Sequence, residues 1–210
     1  MSDKPISAAD VKALRDDTGA GMMDCKRALT DAGGDVAQAK ELLRTWGLAG
    51  VEKRKVRVAS EGVAAAYLHE VGGLPPKLGV LLELDCETDF VAKTPEFREL
   101  ARNLAMQVAA MEPRWVSRDD VPVDFLENER KIIAGSDELA NKPENIRDKI
   151  VEGKLGSILS GKGGVLLEQV YVRDESGKRK VGDIVSELGA SVKENIVVRR
   201  FARFRVGEDD

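Results

Sequence analysis

His69, the one histidine of this 210-residue sequence, and the two cysteines, Cys25 and Cys86, are the first side chains to weigh for proton transfer or nucleophilic attack. Their surroundings suit neither. His69 closes an apolar run beside a Gly-rich turn, which fits a turn-edge residue better than a general base. Cys86 is followed by Glu87 and Asp89, and nearby negative charge raises a thiol pKa and suppresses the reactive thiolate. Cys25 lies far from Cys86, and neither has a second Cys or a His at ligand spacing, so a disulfide framework and a structural zinc site are both disfavoured. Asp85, Glu87 and Asp89 suggest a cation site, yet no histidine or further acid completes a coordination shell. No enzyme active site, cofactor or metal is expected.

Two other patterns invite a ligand. Gly156-Ser157-Ile158-Leu159-Ser160-Gly161-Lys162-Gly163 matches a phosphate loop through its lysine, but Gly163 has no hydroxyl for magnesium. That segment also leaves a helical stretch and enters an extended one, the reverse of the order in which a helix N-terminus would face a phosphate. Arg199-Arg200-Phe201-Ala202-Arg203-Phe204-Arg205 interleaves cations with aromatic rings. Strand alternation puts Phe201 with Arg199, Arg203 and Arg205, and Phe204 with Arg200 and Ala202, so neither face is a stacking platform. Both phenylalanines are expected in the core with arginines at the rim, and no direct nucleic-acid binding is expected.

There remains Cys86-Glu87-Thr88-Asp89-Phe90-Val91-Ala92-Lys93, a short connection carrying an acid beside an aromatic ring. Spacing alone leaves two readings, a contact for a partner or a Phe90 packed inward, and burial is the more ordinary of them.

The elements around these residues follow from periodicity and capping. Ser7 and Asp10 have the spacing of a capping box for a helix bearing Val11 and Leu14, which stops near Thr18-Gly19-Ala20-Gly21. A second helix runs from Met22 to about Ala32. Asp35 caps a third with Val36, Ala39, Leu42, Leu43 and Trp46 at helical spacing, and Gly47 is expected to end it. Three such short helices are stable only around a shared core, which predicts a three-helix bundle and linker over residues 1–55. Strands are predicted over Gly62 to His69 and Leu78 to Cys86, and a helix capped by Thr94-Pro95-Glu96 carries Phe97, Leu100, Leu104, Val108 and Met111 to a stop at Glu112-Pro113. Helices over Val123 to Ala134 and Pro143 to Leu159, a strand over Val165 to Val172, a helix over Val181 to Val192 and a strand over Asn195 to Val206 complete the pattern. Residues 56–210 therefore read as an α+β core with an antiparallel sheet packed by helices.

Composition sets the outer bounds. Charged residues are 33% and aromatic residues 4%, with a formal net charge of -4, which describes a packed, mildly acidic, soluble chain. No apolar run approaches the roughly 20 residues that cross a bilayer and the opening residues carry no leader pattern, so no membrane targeting is expected, and the two unpaired cysteines fit a reducing cytoplasm.

The longest motifs resemble those of a known family. Leu14-Arg15, the run from Thr18 to Leu29 and Gly34-Asp35 resemble the first signature of the elongation factor Ts family, and Cys86 to Lys93 resembles its second. The likeness continues through Glu152 to Leu155, Leu166 to Gln169 and Glu194 to Phe201. It implies a bundle of the ubiquitin-associated type ahead of the α+β core, and the activity of a non-enzymatic guanine-nucleotide exchange factor. Members bind elongation factor Tu carrying GDP and loosen its magnesium and nucleotide, so that GTP can bind during protein synthesis. By motif, Thr88, Asp89, Phe90 and Val91 form the wedge that enters Tu's nucleotide-binding domain, while Arg15, Met22 and Met23 touch another part of it. The chain is short for the family, with roughly one half of the longer core. A homodimer engaging two Tu molecules is the expected assembly, although Ala202 offers no thiol for a cross-link in the final strand.

Overall fold

The computed structural model describes residues 6–136, 139 and 143–208. Residues 1–5, read above for a leader pattern, lie outside them. The chain opens with helices α1 (Ala8–Thr18), α2 (Met22–Asp31) and α3 (Val36–Arg54), whose inward stripes Val11, Leu14, Cys25, Ala28, Leu29 and Ala39 share one small cluster. Short amphipathic helices are marginal alone, so this shared burial holds them. The Ser7 and Asp10 capping box forms as expected: the Ser7 hydroxyl accepts from the Asp10 amide, and the Asp10 carboxylate accepts from the Ser7 amide.

Gly47 does not end α3, which continues through it to Arg54. A Cβ at 47 would lie 3.4 Å from Ala190 Cβ, an ordinary contact, which shows that α3 packs here against a later helix. Such packing offsets the ~1 kcal/mol by which glycine disfavours a helix.

Strands β1 (Glu61–Leu68), β2 (Leu78–Cys86) and β3 (Val197–Arg205) form one antiparallel sheet in the order β1-β2-β3. Leu82, on the central strand, pairs with Ala65 on one side and Phe201 on the other. Alternation sends Val80, Leu82, Leu84 and Cys86 to the face covered by α5 (Pro95–Met111), where Phe97, Leu100, Leu104 and Val108 are buried. Thr94 caps α5 and Pro95 starts it, as the spacing predicts. After α5 a 3₁₀ turn at Arg118–Asp120 leads to α6 (Val123–Ala134) and α7 (Glu144–Ser160), which pack on a second cluster containing Ile133, Val151, Leu155, Leu159 and Val165. Helix α8 (Val181–Val192) returns to the cluster between the sheet and α5 through Val181 and Val185.

Two expectations about extended structure are corrected. Residues 165–172 form no strand: Leu166–Glu168 is a 3₁₀ turn, with only isolated bridges from Val165 to Trp115 and from Val170 to Lys180. Val165 and Leu166 are both buried but serve different clusters, so consecutive side chains are not shared between the two faces of one sheet. The Leu166 and Leu167 amides donate instead to the Trp115 and Val116 carbonyls. On β3, Phe201 packs on the core but Phe204 is 68% exposed. Arg203 takes an inward position and pairs with Glu112 and Glu208 at the sheet edge.

Among the described residues no helix lies over the opposite face of the sheet. Leu68, Leu81 and Phe204 are all more than half exposed there, beside exposed Ala64 and Ala66.

Candidate functional site

The segment after β2 is a helical turn, α4 (Asp89–Ala92), where sequence reading expected an irregular connection. Thr88 supplies the reason, since its hydroxyl caps the turn by accepting from the Val91 amide at 3.4 Å. Thr94, capping α5, donates to the Val91 carbonyl at 2.8 Å and closes the other end. Before the turn, the buried Cys86 thiol donates to the Thr88 carbonyl at 3.1 Å. Burial, helped by the nearby Glu194 carboxylate, pushes this thiol up to about 11, so it stays protonated and keeps donating.

Side chains along α4 divide sharply. Ala92 is buried and Val91 packs partly on the sheet cluster. Phe90 is 80% exposed, which corrects the reading from spacing that it packs inward. A single helical turn has room for only part of its residues on the inner side, and Val91 and Ala92 take it. Asp89 accepts from Lys93 Nζ, and that hydrogen bond holds its carboxyl below the usual carboxylate range. The turn thus presents a charged carboxylate and an aromatic ring on an anchored backbone.

Residues distant in sequence fasten this turn. Glu194 Oε2 accepts from the Glu87 and Thr88 amides at 3.0 and 3.1 Å, and its Oε1 accepts from the Thr88 hydroxyl at 2.6 Å. The Asn195 amide donates to Glu87 Oε1 at 2.7 Å, while Asn195 Nδ2 donates to the Arg57 carbonyl at 2.9 Å. Glu194 and Asn195 stood in a recognisable motif, yet no spacing could link them to a turn over 100 residues earlier.

Arg15, Met22 and Met23 sit on the N-terminal helices. Arg15 is exposed in the last turn of α1, and Met22 and Met23 open α2 with 44% and 73% exposure. Cys25, Ala28 and Leu29 supply the buried side of α2, so neither methionine belongs to the cluster. These residues and Thr88–Val91 occupy separate elements. They are linked through one segment: Lys193 pairs with Asp24 at 3.1 Å, and the next residue, Glu194, holds Thr88.

The competing candidates disperse. Asp85 pairs with Arg199, Glu87 with Arg57, and Asp89 with Lys93, so these three carboxylates do not converge. Gly156 to Ser160 lie within α7, and after them the Gly161 amide donates to the Ile158 carbonyl and the Gly163 amide to that of Met111. Lys162 pairs with Glu112 at 3.2 Å. His69 Nδ1 is 2.9 Å from the Tyr67 hydroxyl at the end of the hairpin. Among the described residues no helix is long and apolar enough to cross a membrane.

Comparison with known proteins agrees with the motifs. The family model described as elongation factor TS matches residues 50–208. The chain is 51% identical over 203 residues to elongation factor Ts of Moorella thermoacetica, covering 97% of this chain and 96% of that one. It is 50% identical to elongation factor Ts of Coprothermobacter proteolyticus, covering 97% and 99%. Against the chloroplastic elongation factor Ts of Rhodomonas salina it is 48% identical over 204 residues, covering 97% and 90%. With signatures, family model and near full-length identity in agreement, the chain belongs to the elongation factor Ts family.

Proposed function

We propose that this chain is a non-enzymatic guanine-nucleotide exchange factor that binds elongation factor Tu carrying GDP and speeds GDP release during protein synthesis in the cytoplasm. The observation that carries the reading is Phe90, 80% exposed beside an ionised Asp89 on a turn capped at both ends. An exposed ring on an anchored backbone is a rigid wedge: it enters between packed helices with little loss of side-chain freedom. The neighbouring carboxylate competes for polar groups that organise Tu's magnesium and phosphates. Reciprocal coupling does the rest, because a factor that weakens GDP binding is itself bound more weakly when GDP is present.

In this reading residues 1–55 are a unit of the ubiquitin-associated type whose Arg15, Met22 and Met23 touch Tu. Exposed methionine suits that task, being flexible and polarizable. Residues 56–210 carry the wedge of Thr88, Asp89, Phe90 and Val91. Two chains pair to engage two Tu molecules, and the exposed apolar face bearing Leu68, Leu81 and Phe204 supports such pairing.

Release of a fluorescent GDP from Tu, followed after mixing with this protein and excess unlabelled GDP, tests the reading. Acceleration is expected, and a release rate equal to that of Tu alone overturns it.

A further inference from the structure

We infer that Glu194 is a positioning residue for the Phe90 wedge; the inference rests on the exchange reading and adds to it a residue outside the wedge itself. One half-buried carboxylate receives three donors, the Glu87 and Thr88 amides and the Thr88 hydroxyl, at 2.6 to 3.1 Å. The two amides lie where β2 has ended and α4 has yet to begin, so neither regular element satisfies them. The hydroxyl matters more. It has a single proton, and giving that proton to Glu194 aims the oxygen lone pairs elsewhere, with the Val91 amide at 3.4 Å. The carboxylate therefore orients the cap, the cap orients α4, and α4 sets the direction of Phe90.

Glu194 is itself held from several sides. Helix α8 ends at Lys193 in the left-handed conformation, φ 61°, which turns the chain back toward the sheet. That conformation is unfavourable for a residue with a Cβ and persists only where the surroundings impose it. Gly189 lies under the returning chain: a Cβ there would stand 3.0 Å from the Glu194 carbonyl oxygen. Asn195, the next residue and 7% exposed, donates its amide to Glu87 and its Nδ2 to the Arg57 carbonyl. This restraint lets a single side chain act as a fixed post rather than a mobile contact.

A glutamine has the same shape but only one acceptor oxygen, so in Glu194→Gln either the paired amides lose their acceptor or the Thr88 hydroxyl must turn from donor to acceptor and lose its aim. The test measures saturated GDP release from Tu for the wild type, Glu194→Gln, Phe90→Ala and the double variant. Glu194→Gln should slow release about tenfold, the loss associated with one charge-assisted hydrogen bond. In the Phe90→Ala background it should change release by less than about twofold, because a post matters only while it holds a wedge. Equal fractional losses in both backgrounds overturn the inference, as does wild-type release by Glu194→Gln. Thr88→Val breaks the same bond from the other side and serves if Glu194→Gln fails to fold; its loss should likewise vanish without Phe90, and persistence of that loss overturns the proposal. Should the wild type fail to accelerate release, the exchange reading falls, and 4-fluorophenylalanine at position 90 still tests positioning. Its fluorine resonance should move in Thr88→Val and Glu194→Gln, and an unchanged resonance in a folded variant overturns the inference.

Discussion

Lys93 Nζ donates a hydrogen bond to the Asp89 carboxylate at 2.5 Å, one helical turn along the chain. The bond lowers the carboxyl's pKa and raises the ammonium's, so both groups are charged throughout the neutral range. A depressed carboxyl pKa contributes stability above its ordinary value and loses it as pH falls through the lower, folded value. Between pH 6 and 8 the state of Asp89 should therefore be constant, and Lys93→Ala should move its titration back up toward 3.8. A carbon-detected NMR titration of the Asp89 carboxyl checks both statements.

Phe90 and Phe97 are seven residues apart in sequence and opposite in exposure, 80% against 0%. Phe90→Ala should change folding stability by no more than about 0.5 kcal/mol, as for an exposed site. Its effect on GDP release should be large, about 2 kcal/mol or roughly 30-fold, as for an aromatic anchor. Phe97→Ala empties the core beneath the sheet and should destabilise the fold by about 3–5 kcal/mol. Denaturant midpoints and release rates measured on both variants separate these roles, with Asp89→Ala expected to slow release less than Phe90→Ala.

The buried Cys86 thiol, pushed up to about 11 from 9.0, is a poor nucleophile in the folded chain. Because its folded value is raised, any stability it contributes is present below about 9 and is lost as pH climbs toward 11. Iodoacetamide at pH 8 should label Cys86 only as fast as the chain opens. Mass spectrometry of its peptide across a urea series checks that labelling follows unfolding.

Asp174 holds the turn before α8, accepting from the Lys178 and Arg179 amides and the Ser176 hydroxyl. Hydrogen bonds to the charged form lower its pKa from 3.8 to about 2, the Arg179 amide contributing most. The ordering of this turn should survive to pH 4 and fade as pH falls through about 2. Amide exchange at Lys178 and Arg179 reports it, and Asp174→Asn should speed that exchange already at neutral pH.

Leu81 is central on the uncovered sheet face and 53% exposed. If two chains pair through this face, Leu81→Arg sets like charges against each other and should halve the mass measured by light scattering. The exchange rate of the resulting single chain should remain measurable, since the wedge lies at the end of β2 rather than on that face.

Elements written in short-range chemistry are legible in the sequence. Ser7 and Asp10, Thr94 and Pro95, and the alternating Val80, Leu82 and Leu84 each declare a local geometry through caps or period, and α1, α5 and β2 follow. The family signatures were equally legible, because they are strings of consecutive residues. Short-range rules failed where a residue answers to a distant partner. Gly47 reads as a helix end until Ala190 stands opposite it, and Val165 with Leu166 reads as a strand until two separate clusters claim them. The same division runs through the candidate site. Spacing alone marked Thr88 to Val91 as a short, stiff connection with an acid and a ring, and favoured Phe90 buried over Phe90 displayed. Tertiary structure decided it: Val91 and Ala92 fill the space beside the sheet, Glu194 arrives from beyond α8 to orient the Thr88 cap, and the ring is left facing outward. Direction along a one-turn helix depends on what occupies its inner side, and only folding brings those occupants together.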